Sequence, residues 1–210
     1  MKKLFFLLCL LPMLAGTGFS QDQGMRQDVN LSFMGVIQPY VEGTTTGPTT
    51  PPVQQKSTLG TGLYLGYRYL LTPNGAVEAN YSYSHFTNKF TANAGGVYGG
   101  ARVYTGMQEA TFAYVRTIPF KKFNPFLEIG GGLLFFTPIE PGTTTYDTEQ
   151  TESPTVLAGG GVAYQLSPSW DLRIQYRGQI FKTNNFGLSR FSTDRRYIMS
   201  EPAIGFAYHF

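Results

Sequence analysis

The chain has 210 residues, with 16 Lys+Arg against 13 Asp+Glu, 15% aromatic residues, 14% charged residues and a single cysteine. Charge so sparse and balanced excludes a basic nucleic-acid-binding surface, and one cysteine excludes an internal disulfide framework. No stretch beyond the leader approaches the 18 apolar residues of a transmembrane helix, and the length suits one all-β domain.

The first segment, MKKLFFLLCLLPMLAGTGFS, has Lys2 and Lys3 ahead of an apolar run over Leu4–Leu14, then Gly18 and Ser20 at −3 and −1 of a cut before Gln21. This predicts a secretory signal peptide over residues 1–20 and one domain over residues 21–210. Cys9 lies inside the apolar run without preceding small residues, so it is expected to leave with the leader rather than carry a lipid. Loss of Lys2 and Lys3 leaves 14 Lys+Arg against 13 Asp+Glu and no cysteine.

Period-two alternation then recurs eight times. The first strand, about 28–38, sets Val29, Leu31 and Phe33 against Asn30 and Ser32. After the long segment PYVEGTTTGPTTPPVQQ, the second (58–71) alternates Leu59, Leu63, Leu65, Tyr67 and Tyr69 with Gly60, Gly62, Tyr64, Gly66 and Arg68. The tight turn TPNG leads to the third (76–88), where Val77, Ala79, Tyr81 and Tyr83 oppose Glu78, Asn80, Ser82 and Ser84. KFTANAGGVYGG reads as a loop before the fourth (102–118), with Ala110, Phe112 and Tyr114 against Glu109, Thr111 and Ala113. The short PFKKFN precedes the fifth (125–137), with Leu127, Ile129, Leu133 and Phe135 against Phe126, Glu128, Gly130 and Gly132. A long loop, PIEPGTTTYDTEQTESP, leads to the sixth (155–166). SPS leads to the seventh (170–181), where Trp170, Leu172, Ile174, Tyr176 and Ile180 oppose Asp171, Arg173, Gln175, Arg177 and Gln179. KTNNFGLSRFSTDR precedes the eighth (196–210).

Strands of this length, joined by connections that alternate long and short, predict a closed eight-stranded antiparallel up-and-down transmembrane barrel with short periplasmic turns and four long extracellular loops. The interior of eight strands only just holds side chains. Glycines beside long charged residues suit that narrow space, whereas they would make a poor solvent face. The polar face is therefore predicted inside and the apolar face toward lipid. The interior charge network is then Arg68, Glu78, Glu109, Glu128, Asp171, Arg173, Arg177 and Glu201. Confinement requires these charges to pair. Arg68 and Glu78 flank one tight turn and are the best-placed pair, while Arg173 and Arg177 share a face and can each meet a carboxylate. Such a network fits a side-chain plug or a gated ion path. Tyr67, Tyr69, Tyr114, Tyr164, Trp170 and Tyr208 near one set of strand ends, and Tyr104, Phe135 and Phe181 near the other, predict two interfacial belts.

The ending AIGFAYHF places Ile204, Phe206, Tyr208 and Phe210 on the lipid face. Alternating apolar and aromatic residues with a final Phe resemble the C-terminal assembly signal of bacterial outer-membrane proteins, which assigns Phe206, Tyr208 and Phe210 that role. Together with the leader and strand pattern, residues 27–210 resemble the small outer-membrane barrel superfamily related to the membrane domain of outer-membrane protein A. The resemblance implies the outer membrane of a Gram-negative cell. It also implies outer-membrane lipids and lipopolysaccharide, the barrel assembly machinery and periplasmic chaperones as partners. No cofactor is expected. The implied role is structural or envelope-supporting, with a surface adhesin or ligand-binding barrel as the alternative and a narrow porin-like channel or an enzyme behind it.

The chemistry-bearing residues are few. His209 is predicted to face inward. His85, Thr87 and Asn88 resemble the H-x-S-N motif of outer-membrane lipid A deacylases with Thr in place of Ser, but the motif lies early in the barrel and the nearest downstream acid is Glu109. GGG at 130–132 and 159–161 lies within strands, not in a strand-to-helix phosphate loop. Glu140, Asp147, Glu149 and Glu152 make the third loop acidic, for cations or solvent. Lys182, Arg190, Arg195 and Arg196 make the fourth basic, for lipopolysaccharide phosphates or solvent.

Overall fold

The computed structural model of the chain describes residues 26–43, 52–94, 97–141, 149–188 and 192–210. The predicted signal peptide with Cys9, and Asp147 and Arg190 of the loops, lie outside the described residues. Ten strands follow in order: β1 (Gln27–Val36), β2 (Val41–Glu42), β3 (Gln54–Ser57), β4 (Gly60–Thr72), β5 (Gly75–Ala94), β6 (Val97–Thr117), β7 (Phe123–Pro141), β8 (Thr151–Ser167), β9 (Trp170–Lys182) and β10 (Arg196–His209).

Eight of them form a closed antiparallel barrel. β1 pairs with β4, each later barrel strand pairs with its predecessor, and β10 returns to β1. The ring shuts through Leu31 opposite Phe206 and Phe33 opposite Ile204. At its rim Phe210 N–H donates to Gln27 O (3.0 Å) and Gln27 N–H to Phe210 O (3.3 Å). Closure leaves no barrel edge unpaired, as lipid demands. β2 and β3 are additions within the first outer connection, and β3 pairs with the outer part of β5.

Side chains alternate between two environments along most of the barrel strands. Phe33, Phe112, Leu127 and Ile129 point outward and are 74%, 71%, 64% and 62% exposed. Arg68, Glu78, Glu109, Arg173 and Arg177 point inward and are buried. An apolar exterior around an ionic interior is the arrangement of a barrel whose solvent is a bilayer. Tyr104 and Tyr114, both outward on β6, are ten residues apart, which matches the roughly 9–11 tilted residues that cross the hydrocarbon.

Four strands run longer than the pattern predicts, β8 among them because it starts at Thr151. β5 and β6 have 20 and 21 residues and pair to Ala94 opposite Val97. The segment KFTANAGGVYGG is thus mostly strand, although its Gly, Ala and Asn content reads as a loop. β7 likewise extends to Pro141. Phe181 also departs from expectation. Its ring is buried inside the barrel and stacked on Phe136 at 5.5 Å, so it belongs to no interfacial belt. Its parity with Arg177 and Gln179 sets that direction.

Candidate functional site: the barrel lumen

Narrowness makes the lumen a place of direct side-chain contact. Gly66 and Gly159 provide room in it. A Cβ at Gly66 would lie 3.0 Å from Glu78 Oε1, and one at Gly159 would lie 2.8 Å from Glu128 Oε1.

Three ionic layers rise from the periplasmic end. In the lowest, Arg173 Nη1 and Nη2 each donate to Asp28 Oδ1 at 3.1 Å, so β9 is tied to β1 across the intervening β10. His209 Nε2 lies 2.8 Å from Asp171 Oδ2, and its Nδ1 3.9 Å from Asp28 Oδ2. Asp28 is absent from the sequence-derived network although it is in phase with Asn30 and Ser32; its place at the first strand's very start obscured it.

In the second layer Arg68 and Glu78 are directly opposite in register, and Arg68 Nε donates to Glu78 Oε2 at 2.6 Å. Tyr64 Oη donates to Glu78 Oε1 at 2.5 Å. With the Asn80 amide oriented as its neighbours require, its nitrogen donates to Glu78 Oε1 (2.8 Å) and Tyr64 Oη (2.6 Å).

The third layer spans the lumen. Arg177 on β9 donates from Nη2 to both oxygens of Glu109 on β6 (2.9 and 2.7 Å) and to Glu201 Oε2 on β10 (2.6 Å). Ser82 and Thr111 hydroxyls complete Glu109 at 3.0 and 2.8 Å, and Gln179 Nε2 donates to Glu201 at 2.8 Å. β6 and β9 are separated along the wall by β7 and β8, so this contact crosses open interior. Cation–ring stacking binds the layers together: Arg177 lies over Tyr64 at 4.4 Å, and Arg68 and Arg173 over Phe126 at 4.9 and 5.9 Å. Glu128 is buried too but receives no hydrogen bond among the described residues. Arg177, Arg68, Glu78 and Glu109 are the charges that face it.

Above the ionic layers the interior turns apolar. Phe86, Phe90, Met107, Leu134, Phe136 and Phe181 form a buried cluster, and Phe186 enters it from the β9–β10 connection with its ring 6.1 Å from Phe90. The sequence puts Phe126 on the inner face but does not single out Phe86 or Phe136, for which the parity of Phe86 with Ser84, and of Phe136 with Gly132, is the signal.

The motif-like residues separate. His85 faces outward with its ring against Tyr83 at 4.6 Å. Thr87 N–H donates to Thr58 Oγ1 at 2.9 Å. Asn88 faces the lumen and donates to Thr105 Oγ1. Glu109 is held by Arg177 inside the wall, so it cannot orient His85. Of the acidic loop, Glu149 and Glu152 are exposed. In the basic loop Lys182 Nζ sits 2.9 Å from Asp194 Oδ1, and that ammonium holds the Asp194 carboxyl below its ordinary pKa; Arg195 and Arg196 are exposed.

A family model described as OmpA-like transmembrane domain matches residues 38–210. The chain belongs to this family. Members are β-barrels of the Gram-negative outer membrane, and that is the location and architecture of this OmpA-like barrel. The solved structure of outer membrane protein OprG from Pseudomonas aeruginosa is 13% identical, covers 90% of this chain and 97% of its own, and has a TM-score of 0.61. Neisserial surface protein A is 12% identical, with coverages of 88% and 97% and a TM-score of 0.53. Outer membrane protein AlkL in lipid bilayers is 16% identical, with coverages of 92% and 94% and a TM-score of 0.53. At these identities the likeness is one of fold. Among curated protein sequences none matches this OmpA-like chain.

Proposed function

We propose that this OmpA-like barrel is a non-conducting structural element of the outer membrane, closed by two stacked plugs and presenting its connections at the cell surface. The observation that carries the reading is Arg177, which bridges β9 to Glu109 on β6 through the middle of the lumen. An ion entering from outside meets the phenylalanine cluster and then a layer whose charges already neutralise one another. Both are costly to displace, the first for lack of polar partners and the second because a separated buried charge is worth several kcal/mol. Planar-bilayer recording tests this: the wild-type barrel is expected to give no discrete conductance steps, and stable single-channel openings would overturn the reading.

The outward placement of Phe206 and Tyr208 on β10, and of Phe210 just after it, supports their role as an assembly signal for the barrel machinery. Phe210→Ala should lower the heat-modifiable, membrane-inserted fraction without changing export.

A surface-binding role is the second reading. It is favoured by β5 and β6, whose pairing continues past Tyr104, with β3 added alongside. Shortening that hairpin should abolish any attachment of whole cells to a host or matrix surface while the barrel still folds.

A further inference from the structure

Strand register in the outer sheet sets three cations in one row. Lys56 on β3 is opposite Lys89 on β5, and Lys89 is opposite Arg102 on β6. Residues directly opposite in a sheet share a face with Cβ atoms about 4.5–5.5 Å apart, and like charges there repel. The face is the outward one: Lys89 is in phase with His85, and Arg102 with Tyr104. Lys56 and Arg102 are exposed and Lys89 is half-buried.

Among the described residues the row makes no ion pair, and the carboxylate nearest to Arg102 by register is Glu140 on β7, opposite Tyr104. Glu42 on β2, opposite Gln54, is exposed and makes none either. Elsewhere in the barrel Lys182 and Arg196 are also opposite one another, and there Asp194 supplies the compensating carboxylate. Among the described residues, repulsion is thus relieved by a carboxylate at the Lys182–Arg196 pair and by none at the row of three.

Height identifies the missing anion. Tyr104 stands at the outer end of the ten-residue crossing from Tyr114, and Arg102 is the next outward residue beyond it. The row therefore lies at headgroup level in the outer leaflet. Just below, a shallow outward cleft of about 370 Å³ is lined by Thr58, Leu59, His85, Thr87, Tyr104 and Ile139. It offers apolar and hydroxyl surface together. Phosphate is the anion that an arginine fork and two ammonium groups bind well, and clustered basic residues beside a membrane span recognise anionic lipid headgroups.

We propose that Lys56, Lys89 and Arg102 bind a phosphate of the lipid A portion of lipopolysaccharide, the rest of that molecule lying against the cleft of Leu59, His85 and Tyr104. The site rests on the barrel's place in the outer membrane and is independent of whether the lumen conducts.

Native mass spectrometry of the barrel purified from membranes and equilibrated with defined lipids tests the site. The wild type should retain one bisphosphorylated lipid A in preference to its dephosphorylated form and to phosphatidylglycerol. K56Q/K89Q/R102Q should weaken retention at least about tenfold, or about 1.4 kcal/mol. K121Q/K122Q, which removes two exposed cations from the short turn between β6 and β7, should leave it unchanged. Heat-dependent gel migration checks that each variant is folded, and Arg102→Gln alone serves as the second variant, with several-fold weakening expected. Unchanged retention by a folded triple or single variant overturns the assignment. Equal retention of dephosphorylated lipid A, or of phosphatidylglycerol, by the wild type does so as well. The bilayer conductance of these variants should match the wild type's, which separates failure here from failure of the sealed-lumen reading.

Discussion

Replacing Arg177 with Met keeps most of the side-chain volume while removing the guanidinium. Glu109 and Glu201 then lose three hydrogen bonds of 2.6–2.9 Å and face each other in the buried interior. The stacking on Tyr64 at 4.4 Å is lost with them. Breaking a buried pair by removing one partner costs about 3–5 kcal/mol, roughly a factor of 10²–10⁴ in the folding equilibrium constant. Adding Glu109→Gln to Arg177→Met should recover part of that loss, because one stranded carboxylate becomes neutral. Urea unfolding in lipid vesicles is the assay. Trp170, the only tryptophan, supplies the signal from its seat beside Tyr208 at the periplasmic girdle, with ring centroids 5.0 Å apart. An Arg177→Met barrel within about 1 kcal/mol of wild type, or a double variant weaker than the single one, would refute the idea that this bridge holds the lumen together.

Glu128→Gln should be neutral or stabilising by up to about 1 kcal/mol in the same assay, since the carboxylate it removes receives no hydrogen bond and burial of such a group is a cost. Ala110 faces outward near the middle of the crossing between Tyr104 and Tyr114; Ala110→Arg should cost about 2–4 kcal/mol, the cost of a cation at the bilayer midplane, and a change near zero would contradict the orientation of the wall. Asp194 is exposed and its carboxyl is held down by Lys182, so the stabilisation from that pair is full above the ordinary aspartate pKa of about 3.9 and fades as pH falls through the depressed folded value. Titration of the Asp194 carboxyl by NMR should show most of that depression lost in Lys182→Met, the remainder being due to the Ser192 hydrogen bond.

Strand parity carried the fold. Leu63 and Leu65 against Tyr64 and Arg68 already separate lipid from lumen, because the period of a strand admits only two directions. The Arg68–Glu78 pair was legible for a further reason: a two-residue turn at Pro73 and Asn74 fixes the register of the strands that flank it. Arg177 reaching Glu109 was not. Those residues belong to strands separated along the wall by two others, and their meeting depends on diameter and stagger, which no local pattern encodes. Phe181 was misassigned because aromatics near strand ends suggest an interface, whereas its parity with Arg177 is the stronger constraint. The outer halves of β5 and β6 were hidden by Gly99, Gly100 and their small neighbours, which read as turn residues when the partner strand is unknown. The row of Lys56, Lys89 and Arg102 was equally invisible, since it exists only once three registers are combined.

The seam between β1 and β10 has a temporal meaning. Its partners, Asp28 with His209 and Leu31 with Phe206, come from the first and the last strand of the barrel. Every other joint in the wall can form as a local hairpin, but this one waits for the last strand to be delivered. A chain halted before β10 does not yield a smaller cylinder; it yields a sheet with two raw borders that oil cannot solvate. The ion pair that Arg173 throws over β10 to Asp28 is a clasp that needs β10 in place to fasten.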